Sequence, residues 1–139
     1  MKKITIFLML FAVLGLSACQ KSYTETTSDS TTANEEAQYK MITMQEAREV
    51  FKTEGDYIIL DVRTVEEYDS GHIPRAINVP LQDIGEEDIP ELPDKEQTIY
   101  VYCRSGNRSK TASERLVNLG YTDVIEFGGI RDYTGDLEK

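Results

Sequence analysis

The chain has 139 residues, of which 40% are hydrophobic and 9% aromatic, and a formal net charge of −10. That length suits one small domain. The acidity argues against a nucleic-acid partner and against electrostatic attraction to anionic lipid, because phosphate and anionic headgroups would be repelled. A lone histidine and the absence of a CxxC pair argue against a metal site.

Met1-Lys2-Lys3 is a short positive start, and Ile4 to Leu16 is an apolar run of 13 residues. That is the length of a signal-peptide core and is short for a bilayer span. Leu16-Ser17-Ala18-Cys19 follows and resembles the lipobox of bacterial lipoproteins. An ordinary secretory signal with an incidental cysteine is the competing reading. The resemblance implies that residues 1–18 are removed, that Cys19 carries the lipid, and that the protein works outside the cytoplasm, anchored to a bacterial membrane. Loss of Lys2 and Lys3 takes the charge from −10 to −12. Cys103 is then the one cysteine left, so no disulfide is expected and an unpaired thiol in an exported protein points to reactivity. A buried, inert cysteine is the bland alternative. Gln20 to Gln38 holds eight Ser or Thr and four acidic residues, too little apolar surface to fold. Residues 19–38 are therefore expected to be a disordered tether, reaching about 25 Å as a coil, with the folded domain over residues 39–139.

Tyr39 to Ile42 reads as a short edge strand. Thr43-Met44-Gln45-Glu46 fits a capping box, Met44, Ala47, Val50 and Phe51 follow at helical spacing, and Gly55 can close that helix. Tyr57 to Val62 is an apolar run of strand length. Thr64-Val65-Glu66-Glu67 is a second capping box, opening a short helix that stops near Gly71. Ala76 to Val79 reads as a strand. Residues 83–96, with Pro90 and Pro93, predict turns and one irregular helical segment. Thr98 to Tyr102 is a buried strand, Lys110 to Leu119 a helix closed by Gly120, and Val124 to Phe127 a last strand. Gly128-Gly129 and a short C-terminal helix finish the chain. Apolar strands alternating with helices predict an α/β fold, a parallel sheet covered on both faces, with ligands beyond the carboxyl ends of its strands.

Cys103-Arg104-Ser105-Gly106-Asn107-Arg108-Ser109 lies at such an end, between a strand and a helix start. Free N–H groups, the helix dipole and two arginines favour thiolate there. Taken with Asp61-Val62-Arg63, with Glu66-Glu67-Tyr68 and with Gly71-His72-Ile73-Pro74-Arg75-Ala76-Ile77-Asn78-Val79-Pro80, this stretch is similar to the single-domain rhodaneses, sulfurtransferases of the α/β class. The resemblance covers about residues 40–135. It implies a three-layer α/β/α fold around a mainly parallel sheet of about five short strands. It also implies that Cys103 attacks a small anionic sulfur donor such as thiosulfate, becomes a persulfide, and passes the sulfur to a thiol or protein-thiol acceptor. No metal or organic cofactor is implied. A monomer is expected, held to the membrane by the lipid alone.

Arg104, Ser105, Gly106, Asn107 and Arg108 are the candidate substrate-binding residues: Gly106 permits the curl of the loop, its N–H groups form an anion nest, and the arginines attract the donor. Arg104 can face pocket or solvent, and Arg108 can instead brace the loop. Asp61, Arg63 and Ser109 are read as structural support, with Arg63 pairing with Glu66 or Glu67. His72 is read as a turn-stabilising residue, and Tyr100 and Tyr102 as core and sheet-face residues. Phosphatases of the same fold place Arg after five intervening residues. Here four separate Cys103 from Arg108, which disfavours phosphatase or arsenate reductase chemistry. A persulfide or thiol-redox carrier serving one protein partner is the alternative function, and a catalytically idle interaction domain is a third reading. Tyr133 stands where the family's closing motif often has Trp.

Overall fold

The computed structural model describes residues 38–85 and 87–139. The signal-peptide reading, Cys19 and all of the proposed tether except Gln38 lie outside the described residues.

Five parallel strands form one sheet in the order β1-β5-β4-β2-β3. β1 is Lys40–Met41, β2 Tyr57–Asp61, β3 Ala76–Asn78, β4 Thr98–Cys103 and β5 Val124–Gly129. The helices are α1, Met44–Phe51; α2, Val65–Asp69; and α3, Asn107–Asn118. Parallel pairing forces a crossover between neighbouring strands, and α3 is the crossover from β4 to β5. Both capping boxes form: Thr43 with Glu46 opens α1, and Thr64 with Glu67 opens α2.

Alternation along β4 decides what each face carries. Ile99, Val101 and Cys103 point to the side of α3, where they join Leu60, Val62, Ala112, Leu116 and Val124. Tyr100 and Tyr102 point to the other side, against Met44 and Ala47 of α1, Ile73 and Phe127. Leu116 is fully buried between helix and sheet, worth about 2 kcal/mol over leaving it exposed. Cys103 therefore ends a core strand on the α3 face, at the sheet's carboxyl edge.

Several boundaries differ from the sequence reading. α1 ends at Phe51, before Gly55. Gly55 instead leaves room for a ring, because a Cβ there would lie 2.7 Å from Cε1 of Tyr57. The helical turn expected within residues 83–96 is a 3-10 turn over Leu81–Asp83. Beyond it no helix occurs among the described residues of the segment, which is held by Ile89 and Leu92, both buried. α3 begins at Asn107 rather than Lys110, because Gly106 at φ +96° turns the chain into the helix at once. β5 runs on through Gly128 and Gly129, and the C-terminal helix is a 3-10 turn over Ile130–Asp132. His72 and Glu138 exchange two backbone hydrogen bonds of 2.9 Å, clasping the C-terminal end to the turn before β3.

Candidate active site

The last residue of β4 carries the thiol, and the next three form the turn into α3. Cys103 is 1% exposed. Gly106 N–H donates to its sulfur at 3.1 Å, an arrangement that the positive φ of Gly106 permits. Burial is the largest single influence on the thiol and pushes it up. The Ser109 hydroxyl and the N–H groups of Ser109, Ser105 and Gly106 together outweigh burial and hold Cys103 below its ordinary value. The sulfur thus sits at the start of a 12-residue helix with donors converging on it, an arrangement that favours thiolate.

Two further contacts shape the loop. Gly129 of β5 passes directly beneath it: a Cβ there would collide with the Arg104 carbonyl oxygen and lie 2.6 Å from Cα of Ser105. This is where the β4–β5 register shifts, between Val101 and Cys103, so that Cys103 stands opposite Gly129. The Ser109 hydroxyl, fully buried, lies 2.9 Å from the Gly106 carbonyl and braces the turn from inside the helix.

The Arg108 guanidinium is engaged by Glu67 of α2. Its Nη1 and Nη2 lie 2.7 and 2.9 Å from the two carboxylate oxygens of Glu67. Arg108 and the Thr64 N–H hold the Glu67 carboxyl down at about 2. Asp61 and Arg63 form a second, buried pair at 2.6 Å. Burial opposes the Arg63 charge, and Asp61 more than restores it. Arg63 also donates to the Gly71 carbonyl at 2.8 Å. Tyr102, beside Cys103 in sequence, accepts from Ile73 N–H at 3.1 Å, and burial with the Asp61 charge raises its phenol well above the usual range. Arg104, Ser105 and Asn107 are exposed at the rim. A cleft of about 290 Å³ beside the loop is lined by Arg63, Arg108 and Arg115 among others. Another, of about 750 Å³, is lined by Asp83, Glu87, Asp88 and Glu91 and holds no nucleophile. Its charge would repel an anionic substrate.

Residues 43–136 match the family model of the rhodanese-like domain. The chain belongs to that family. It is 42% identical over 73 residues to the thiosulfate sulfurtransferase PspE of Escherichia coli, covering 52% of this chain and 70% of PspE. It is 33% identical over 91 residues to the thiosulfate sulfurtransferase GlpE of Coxiella burnetii, covering 66% of this chain and 82% of GlpE. The solved structure of a rhodanese with anions from E. coli superposes with a TM-score of 0.55 at 38% identity, covering 60% of this chain and 98% of that one. The relatives support sulfur transfer as the general chemistry.

Within this rhodanese-like domain, Cys103, Ser105, Gly106 and Ser109 converge on one sulfur, and Arg104 and Asn107 stand on the rim. Arg63 pairs with Asp61, and neither Glu66 nor Glu67 is its partner: Asp61 ends β2, and Arg63, two residues on, donates to it from both backbone and guanidinium. Glu67 pairs with Arg108 instead. Three contributors escaped the sequence reading. Glu67, which the sequence offers as a cap and as a partner of Arg63, both caps α2 and binds Arg108. Gly129 was one glycine in a terminal pair. Glu126, 3% exposed, had a visible signal: an acid inside the apolar run Val124 to Phe127, at the parity of Val124, which faces the core.

Proposed function

We propose that this domain moves sulfane sulfur from an anionic donor such as thiosulfate to a thiol acceptor through a Cys103 persulfide. The observation that carries the reading is the buried Cys103 sulfur at the mouth of α3, held below its ordinary pKa by the surrounding donors. The thiolate attacks the outer sulfur of thiosulfate. A new S–S bond forms at Cys103, the old one breaks, and its electron pair leaves on sulfite. The terminal sulfur of the persulfide carries the negative charge, which the N–H groups of the loop stabilise. An acceptor thiolate or cyanide then attacks that terminal sulfur and returns the Cys103 thiolate. No general base is needed once the thiol is ionised. The engagement of Arg108 by Glu67 supports this reading over phosphoryl transfer, since that guanidinium is already occupied.

The address follows from the lipobox-like sequence: the domain acts at the outer side of a bacterial membrane on a Cys19 lipid. Radiolabelled palmitate entering the wild type and not Cys19→Ala supports that address, and equal labelling overturns it. The function is tested by intact mass. Thiosulfate should add one sulfur atom to the wild type and none to Cys103→Ser, and cyanide should remove it with release of thiocyanate. An unmodified mass under both conditions would refute the proposal.

A further inference from the structure

Glu126 lies opposite Val101 of β4 and Met41 of β1 in the sheet register. Its carboxylate is buried, yet no Lys or Arg forms an ion pair with it among the described residues. Its partners are instead the Gly128 N–H, donating to Oε1 at 2.9 Å, and the Ser109 hydroxyl, 2.5 Å from the same oxygen. The latter is at the short end for such a bond. Ser109 is itself completely buried and also lies 2.9 Å from the Gly106 carbonyl and 3.4 Å from that of Gly128. Gly106 is the residue whose N–H binds the Cys103 sulfur.

A serine hydroxyl has one proton to donate. Here the Glu126 carboxylate and two carbonyls lie within hydrogen-bond distance of it, and the same hydroxyl is among the groups that lower the Cys103 thiol. We propose that Glu126 is a positioning residue that sets, through this single proton, how strongly the Cys103 sulfur is hydrogen-bonded. A carboxylate in this place is the strongest acceptor and draws the hydroxyl toward β5, weakening its bond to the sulfur and leaving the backbone N–H groups as the main donors there. A neutral side chain competes less and releases the hydroxyl toward the sulfur. Only hydrogen bonds are exchanged, and no proton leaves the site. The charged or titratable groups facing the unit are Glu114 of α3 and Tyr39, which precedes β1, on the Glu126 side. Cys103 and Arg108 face it from the loop side.

The inference rests on Cys103 being the nucleophile, and its test needs no sulfur donor. Iodoacetamide alkylation of the full chain, read at Cys103 by peptide mass spectrometry across pH, reports the thiolate. Glu126→Gln should raise the rate in mildly acid solution by about fivefold. Glu126→Asp, which keeps the charge but withdraws it from Ser109, should raise it too. In a Ser109→Ala background neither change should have any effect. An equal gain from Glu126→Gln without Ser109 would reduce the residue to a plain charge effect and overturn the proposal. Unchanged profiles in folded single variants would do the same. If the alkylation pattern holds while sulfur transfer fails, the function is wrong and the positioning role stands.

Discussion

Arg108 lies end-on against Glu67, with its two terminal guanidinium nitrogens each on one carboxylate oxygen, and ties the first turn of α3 to α2 across the mouth of the site. The pair joins two segments 41 residues apart in sequence. Fork-to-fork geometry makes it stronger than a single-contact ion pair. The Glu67 carboxyl has its pKa depressed from 4.5 to about 2. Its contribution to stability is therefore present above the ordinary carboxylate value and lost as pH falls toward 2. With the Glu67 side chain 27% exposed, we expect about 1–2 kcal/mol after solvent screening. Urea denaturation of wild type and Glu67→Gln should differ by that amount near neutrality and converge in acid. A gap that persists in acid would contradict the assignment.

The Cys103 thiol should ionise below its ordinary value of 9.0. The absorbance of the thiolate near the far-ultraviolet edge, followed against pH, should show a transition with its midpoint shifted down in the wild type, and that transition should be missing in Cys103→Ala. The same variant should lose sulfur transfer by at least about a thousandfold, while its stability changes by only about 1 kcal/mol. Residual transfer close to wild type would mean that another group carries the sulfur.

Asp61 and Arg63 are buried, 0% and 5% exposed, with three contacts from the guanidinium to the carboxylate and a further one from the Arg63 backbone N–H. Asp61→Ala leaves the Arg63 charge buried without compensation and should cost about 3–5 kcal/mol in denaturant unfolding. Replacing both residues with apolar ones of similar size should recover much of the loss. Failure of the double variant to recover would show that the Gly71 contact, and not the charge pair, matters most.

Gly129→Ala puts a methyl group into the backbone of Arg104 and Ser105. The loop must shift, at about 1–3 kcal/mol, and its donors move off the sulfur. We expect the Cys103 ionisation midpoint to rise and turnover to fall together, read by the thiolate absorbance and a thiosulfate–cyanide assay. An unchanged midpoint in a folded variant would show that the approach of β5 does not shape the nest.

The sequence alone determined the candidate nucleophile, the strand–loop–helix that presents it, the parallel α/β class and both capping boxes. These are local properties. Hydrophobic parity along Thr98 to Cys103 decides which face the thiol takes, and a glycine three residues on allows the turn, whatever the rest of the chain does. Tertiary structure alone decided the partners. Arg63 had Glu66 and Glu67 as its candidate partners in the sequence, and the structure pairs it instead with Asp61, the last residue of β2, two positions before it. Glu67 reads from the sequence as a cap and as a candidate partner of Arg63, and only the approach of α3 gave it Arg108. Glu126 and Gly129 acquire meaning once β5 lies beside β4, because the contact between strand end and catalytic loop joins residues distant in the chain. Spacing in sequence carries the local geometry of the sulfur site. The second layer around it is long-range packing, and its hydrogen bonds exist only after the sheet has closed.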